Sequence, residues 1–318
     1  MENIKSFAQN IIQNISRVIV GKESVIELLI VGMLCEGHVL IDDVPGVGKT
    51  MMARSLAITM GGSFKRIQCT PDLLPNDITG VSIFNQATRD FEFKPGPVFV
   101  NILLVDEINR ATPRTQSALL EAMQEQQVTI DGVTHPLPLP FIVIATQNPV
   151  DYEGTFPLPE AQLDRFMMQI TMGYPNPDEE KQILQNLLHD HPIISLSQTA
   201  EIDEILKSKA DIWQVNIDET LHEYIVALVN ATRNHADIIL GASPRAALAL
   251  VKGVQALAAV RGRDHVIPDD VKHLFKPVIA HRLMIKPESA LRGRSSSKIL
   301  DDILNTVPIP LLLSKQDQ

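Results

Sequence analysis

Five short apolar runs, "HVLI", "FKRIQCT", "NILLVD", "FIVIAT" and "FMMQIT", are separated by segments long enough to hold a helix. Strands joined by helical crossovers pair in one direction, and a parallel sheet must be covered on both faces. The chain is therefore expected to contain an α/β core built on a five-stranded parallel sheet. Two segments interrupt the alternation. "GVSIFNQATRDFEFKPGPVF" alternates apolar and polar residues around a polar middle, and "VTIDGVTHPL" carries the Asp131-Gly132 pair favoured in a type I′ turn. Both precede a sheet strand and should project from the core as hairpins.

Upstream of the first strand, Ile4, Phe7, Ile11, Ile15 and Val18 recur at helical spacing, and a second helix is expected from Val25 to Cys35. Downstream of the last strand, Pro175 and Pro177 stiffen "GYPNPDEE", while Asp178, Glu179 and Glu180 suit the positive start of a helix. This change of pattern divides the chain into a core at 1–175, a helical domain at 176–285 and a tail at 286–318. "ETLHEYIVALVNATRNH", "SPRAALALVKGVQALAAVRG" and "PDDVKHLFKPVIAHRL" are helical by period, with Pro268 suited to a first turn. The second domain is expected to be all helical. The tail holds "RGRSSSK" and the strand-like "NTVPIPLLL", to which the pattern assigns no role.

With 318 residues, 45% of them hydrophobic, the chain can bury two cores. A formal charge of −10 makes nucleic acid a disfavoured partner, because the surface as a whole repels a phosphate backbone. Cys35 and Cys69 show neither CxxC nor Cys/His ligand spacing and read as small buried residues of a reducing compartment. The most apolar stretch, "VIELLIVGMLCEGHVLI", is cut by Glu27, Glu36 and His38, and the first residues lack a signal pattern. No membrane span and a cytoplasmic location are the expectations.

The chemistry starts at "IDDVPGVGKT". A strand before it and the helical "TMMARSLAITM" after it create the setting in which backbone N–H groups converge on phosphates at a helix start. The strict phosphate-loop pattern wants glycine where Asp43 stands. Gly46 and Gly48 remain where the backbone must approach the phosphates, Lys49 supplies charge and Thr50 a hydroxyl for Mg2+. Asp43 reads as a variation at the start of the loop, since Asp tolerates turn conformations. Pro45, Val47 and Met51 complete the expected nucleotide contacts of the loop and first turn. An ordinary Pro-Gly turn with a surface lysine is the bland alternative.

"ILLVDEINRA" then delivers two adjacent acids to the end of a strand. Asp106 would hold Mg2+ through its waters and Glu107 would polarise the attacking water, as nucleoside triphosphate hydrolysis requires. Capping of the next helix is the structural alternative. In "FIVIATQNP", Asn148 can orient that water or touch the γ-phosphate, although an Asn before Pro is by itself only a turn signal.

Taken in order, "VPGVGKT", "LLVDE", "ATQNP", "LPEAQLDRF" and "SPRAALAL" resemble the motifs of AAA+ ATPases. "RIQCTPDLLPNDITG", "FKPGPVF" and "DEINRATPRTQSALLEAMQEQQVTIDG" resemble the MoxR family among them, and the similarity runs from about Val18 to Arg282. The resemblance implies an AAA+ core with a helical lid, the hairpins being its helix-2 insert and pre-sensor-1 hairpin. It implies ATP and Mg2+ as cofactors, and it tolerates Asp43. Adenine would pack near Ile19 and Val20 of "RVIVGKE". Arg165 of "LDRF" corresponds to the arginine finger, and Arg245 of "SPRAA" to the sensor 2 arginine that engages the phosphates. Arg110 and Arg114 face the subunit boundary or serve structure.

An arginine finger needs a neighbour's site, so a closed head-to-tail ring, hexameric in the family, is implied. The implied activity is ATP-driven, chaperone-like maturation of client protein complexes with a separate von Willebrand factor A domain protein. Three other readings stand beside it: the motor subunit of a magnesium-chelatase-like complex, a DNA-acting AAA+ protein and a nucleotide switch that does not hydrolyse.

Overall fold

Helix α1 (Glu2–Ser16) turns Ile4, Phe7, Ile11 and Ile15 onto one buried face, as their spacing requires. Helix α2 (Glu23–Leu34) is apolar on almost every side and is enclosed accordingly. The computed structural model describes residues 1–148, 154–188 and 191–310. Within it the α/β core continues through β1 (Val39–Asp42), α3 (Lys49–Met60), β2 (Phe64–Gln68) and α4 (Pro75–Thr79). It then runs through β3 (Gly80–Asn85), β4 (Asp90–Pro95), β5 (Ile102–Asp106), α5 (Pro113–Glu125), β6 (Gln127–Ile130) and β7 (Val133–Pro136). Strand β8 (Ile142–Gln147), α6 (Glu160–Leu163) and β9 (Met168–Ile170) complete the core.

The five expected runs form one sheet in the order β2-β5-β8-β1-β9, with every neighbouring pair parallel. Alternation along the strands sorts the two faces. Val39, Ile41, Ile102, Leu104, Ile142 and Ile144 join the cluster under α1, α2 and α3, whereas Leu40, Leu103, Val105, Val143 and Ala145 join the cluster under α5. Edge strand β2 instead exposes Lys65, Arg66 and Gln68, which blunts an open sheet edge with charge. Both interruptions are hairpins: β3 pairs antiparallel with β4, and β6 with β7. Asp131 and Gly132 have φ of 49° and 80°, the positive pair that a type I′ turn demands.

Beyond the core the chain runs through α7 (Pro177–Leu187), α8 (Ile202–Ile212), α9 (Glu219–Arg233), β10 (Ile238–Leu240), α10 (Pro244–Val260), α11 (Pro268–Ile279), β11 (Met284–Ile285), α12 (Pro287–Leu291) and α13 (Ser296–Thr306), a helical region that includes the lid. Asn176 caps α7 by accepting Glu179 N at 2.9 Å while the Glu179 carboxylate accepts Asn176 N at 2.9 Å. Helix α10 rests on α1 and α2, and Arg261 at its end grips Glu27 of α2 with two hydrogen bonds of 3.0 and 2.9 Å.

Several details depart from the sequence reading. The helical lid also carries a short antiparallel ladder, β10 with β11, too short to show a period. The "RGRSSSK" segment starts a helix, with Ser295 Oγ accepting Lys298 N at 3.3 Å, and α13 buries Ile299, Leu300 and Ile303 against α9 and α11. Asn305 and Thr306 of the strand-like "NTVPIPLLL" complete that helix, while Leu311 to Leu313, like Pro149 of "FIVIATQNP", lie outside the described residues. Cys69 is buried but Cys35 is only half-buried. Desolvation pushes both thiols up to about 12, and that makes them poor nucleophiles.

Two histidines fasten the core in their neutral form. His38 donates from Nε2 to Met123 O at 2.9 Å and accepts Val143 N on Nδ1 at 3.0 Å. Burial lowers its pKa to about 4. Burial and the neighbouring Arg282 lower that of His281, which bonds Phe166 O at 3.1 Å, to about 3. Both folded values lie below that of a free imidazole, so the unfolded chain binds more protons and stability rises with pH through this window. The contribution is complete above about 6.5 and should fall by roughly 2 kcal/mol per histidine between pH 7 and 5. Urea unfolding at the two pH values measures it, and His38→Gln should remove about half of the dependence. Equal midpoints at pH 5 and 7 would contradict the neutral, buried assignment.

Candidate active site

Strand β1 ends at Asp42, and the chain turns through residues 43–48 into α3. Gly46 and Gly48 have φ of 87° and 93°, left-handed values that only glycine takes at no cost. Asp43 is not among the positive-φ residues, so the missing first glycine removes no needed freedom. The Asp43 side chain does something else. Its Oδ1 accepts Val44 N at 2.8 Å, and its Oδ2 accepts Met172 N at 2.7 Å and Gly173 N at 2.6 Å. At 6% exposure, this carboxylate ties the start of the loop to the chain leaving β9 for the lid.

Lys49 Nζ donates to Asp43 O at 2.5 Å. Burial holds its pKa below the ordinary lysine range, against the opposing pull of Asp43, Asp106, Asp42 and Glu107. Around it opens a cavity of about 320 Å3. The loop and first turn of α3 contribute Pro45, Gly46, Gly48, Lys49, Thr50 and Met51; the end of β5 contributes Asp106 and the following Glu107; the end of β8 contributes Thr146, Gln147 and the following Asn148. Edge strand β2 adds Arg66 and Gln68.

Thr146 locks the two acids in place. Its hydroxyl donates to Asp106 Oδ1 at 3.2 Å and accepts Glu107 N at 2.9 Å. Glu107 has φ of 55°, an αL conformation that costs a non-glycine residue about 1–2 kcal/mol. The strain turns the chain sharply at the strand end, and the Glu107 carboxylate pairs with Arg110 Nη1 at 3.1 Å. The other Asp106 oxygen lies 2.6 Å from Arg66 Nε. Among the described residues no three His, Cys, Asp or Glu gather into a metal cage. A divalent ion at Thr50 and Asp106 would complete an oxygen shell with phosphate and water, the shell Mg2+ favours.

An apolar cleft of about 190 Å3 adjoins this cavity and shares Gly46, Gly48 and Met51 with it. Val18, Ile19, Val20 and Val47 line one side, and Pro175, Ile183, Leu187 and Pro192 from the lid side close it. Its apolar walls suit a flat ring, and Ile19 and Val20 are among the residues that line it.

Arg165 and Arg245 enter neither space. They meet in a third cavity of about 390 Å3, with His38, Met123, Asp164, Lys252 and Arg282. His38 precedes the first residue of β1 and Asp43 follows its last, so this cavity lies at the opposite end of the sheet. The four-residue strand alone spans roughly 13 Å. Arg165 donates to Leu120 O at 3.0 Å, and Arg245 is exposed. Asp164, next to Arg165, accepts Ser243 Oγ at 3.2 Å, and Ser243 caps the helix that carries Arg245. Arg282, 5% exposed, lies 3.0 Å from Asp164 Oδ1 and donates to Phe166 O at 2.8 Å. Desolvation lowers its pKa to about 10, with Asp164 opposing and Arg245 adding to the shift.

Residues 38–168 match the ATPase family associated with various cellular activities (AAA), and residues 230–303 match the AAA lid domain. The Bacillus subtilis protein YeaC is 48% identical over 98% of this chain and 97% of its own length. Chaperone MoxR1 of Mycobacterium tuberculosis is 42% identical over 93% of this chain and 80% of its own. The chain belongs to the MoxR family of AAA+ ATPases. A crystal structure from Cytophaga hutchinsonii, 40% identical, superposes with a TM-score of 0.90 and covers 98% of each chain. AAA membership implies ATP binding and hydrolysis, and among the described residues no helix is long and apolar enough to cross a membrane.

In this MoxR-family chain the structure gathers Lys49, Thr50, Asp106, Glu107 and Asn148 at one end of the sheet and sets Arg165 and Arg245 at the other. The engagement implied for Arg245 is not with the phosphate cavity of its own chain. Arg110 sits on Glu107, and Arg114 is exposed in the first turn of α5. Sequence reasoning missed Arg66, Gln68 and Thr146, whose roles depend on strand register, and the lid wall at Ile183 and Leu187. The partners of Asp43 were equally hidden, being 129 and 130 residues away.

Restoring the glycine tests the Asp43 account. Asp43→Gly moves the loop nearer to the usual pattern yet strands the buried Met172 N–H and the half-buried Gly173 N–H, and should cost about 1–3 kcal/mol of stability in a denaturant titration. A variant as stable as the parent would show that the carboxylate is incidental.

Proposed function

We propose that this MoxR-family chain hydrolyses ATP as an Mg2+-dependent motor in a closed head-to-tail ring, hexameric by family resemblance. One observation carries this reading: Arg165 and Arg245 lie together at the sheet end opposite the phosphate loop. A head-to-tail contact sets the third cavity of one subunit against the nucleotide of the next, and such a contact closes into a ring.

In this reading the N–H groups of the loop and Lys49 bind the phosphates, while the cleft at Ile19 and Val20 takes the adenine. Thr50 and Asp106 hold Mg2+, whose charge offsets that developing on the phosphate oxygens. Glu107 accepts the proton of the attacking water, and Asn148 fixes its direction; base assistance of this kind is worth roughly 10²–10⁴ in rate. Arg165 and Arg245 reach the neighbour's γ-phosphate, and an arginine supplied in trans adds about 10³–10⁵ in other nucleotide hydrolases.

The motion is a hinge between core and lid, because the adenine cleft is walled by both. Its use is chaperone-like remodelling of client protein complexes. Similarity to a relative named a chaperone supports this, and a separate von Willebrand factor A domain protein is the partner that the family resemblance supplies.

Glu107→Gln tests chemistry and client together. The variant should bind Mg2+-ATP with near-parental affinity, lose turnover about 10²–10⁴-fold, and retain partners from an extract in the presence of ATP, with Lys49→Ala as background. Parental turnover would remove Glu107 from the mechanism, and recovery of nucleic acid or tetrapyrrole-pathway subunits would replace the client assignment.

A further inference from the structure

We propose that Arg66 is a guard on Asp106: it occupies the carboxylate before nucleotide arrives and must be displaced for a divalent ion to bind. The inference rests on the assignment of Asp106 to the metal and deepens it. Arg66 lies on edge strand β2, with Arg66 opposite Leu104 and Gln68 opposite Asp106 in the parallel register with β5. Its side chain reaches along this edge, placing Nε 2.6 Å from Asp106 Oδ2 and Nη2 2.9 Å from Gln68 Oε1.

The partners differ sharply in exposure, 49% for the Arg66 side chain against 10% for that of Asp106. The acid is fixed. Its other oxygen accepts from Thr146, and the same hydroxyl holds Glu107 N. The arginine is a long, half-exposed side chain that can swing into water at little cost, because hydration replaces the contact it gives up. A nearly buried carboxylate needs a counter-charge, and Arg66 provides it through a short charge-assisted bond. A divalent ion seeking the same group meets both the occupied lone pair and a like charge within a few ångströms.

Lys49 faces the same space, so Arg66 and Lys49 together offset the charges of Asp106 and Glu107 and leave a bare cation little net attraction. Mg2+ delivered on ATP is drawn in by the same two cations, since the phosphates carry more negative charge than the ion neutralises. Arg66 therefore biases the site toward the metal–nucleotide complex over free metal. Arg110 stands on Glu107 in the same manner, so both acids are held by arginines.

The test uses Mn2+ alone, without nucleotide, measured by calorimetry and by its paramagnetic signal on the full chain. Arg66→Gln, which keeps a polar side chain at an exposed position, should bind Mn2+ about tenfold tighter than the parent, or roughly 1.4 kcal/mol. Arg66→Lys should fall between them, as a weaker point-charge competitor. Asp106→Asn should lose the site in either background. If Arg66→Gln binds Mn2+ no tighter while Asp106→Asn still abolishes binding, the guard is wrong and the metal assignment stands. Unchanged binding in Asp106→Asn would overturn both. A purely structural Arg66 would lower the urea midpoint of Arg66→Gln without raising its metal affinity.

Discussion

The parallel ladder of β5, β8 and β1 is the constraint on which everything else rests. All three strands point one way, so their carboxyl ends open on one side, where loops are free to carry chemistry. The phosphate loop, Asp106 with Glu107, and Asn148 arrive there from three strands that end at residues 42, 106 and 147, because the parallel register leaves them no other place. The same polarity puts the chain just before β1 and β9 on the far side, and Arg165 and His38 with it. Reversing a single strand would mix the two ends. The fold thus sets the phosphate-loop cavity and the arginine cavity at opposite ends of the sheet, and on the proposed ring reading a second copy brings them together.

A carboxylate at each end then fixes the chain on its way to the lid or the lid itself. Asp43 binds the N–H groups of Met172 and Gly173, where the chain departs for α7. Asp164 binds Ser243 at the cap of α10 and lies against Arg282. The cleft between Ile19 and Leu187 is walled by the core and the lid side together, so on the proposed hinge reading nucleotide there would bear on the helix that carries Arg245, which Ser243 ties to Asp164.

The features legible in the sequence were those set by neighbours. Strand runs, the Asp131-Gly132 turn, the acidic helix start at Asp178 to Glu180 and the order of the motifs depend on residues within a few positions, and these elements appear where their patterns lie. The features that were not legible depend on register or on how the lid sits. Arg66 looks like a solvated edge charge until the β2–β5 pairing places it beside Asp106. Asp43 reads as a tolerated deviation until β9 brings two N–H groups to it. Arg245 has a family role but no address until α10 docks on α1 and α2. Helix α13 was hidden because its three buried residues, Ile299, Leu300 and Ile303, sit between a Ser-rich start and a Pro-containing end that suggest irregular chain.

Separation of the two half-sites is the central claim, and mixing two inactive variants tests it most directly. Lys49→Ala removes the nucleotide half and keeps the arginines, whereas Arg165→Ala keeps the nucleotide half and lacks the finger. If the site forms between copies, neither variant turns over ATP alone. The mixture then regains up to about a quarter of parental turnover, the share of contacts that combine one intact half from each. A mixture that assembles into rings and stays as inactive as its components would contradict the account, as would an Arg165→Ala chain that hydrolyses ATP unaided.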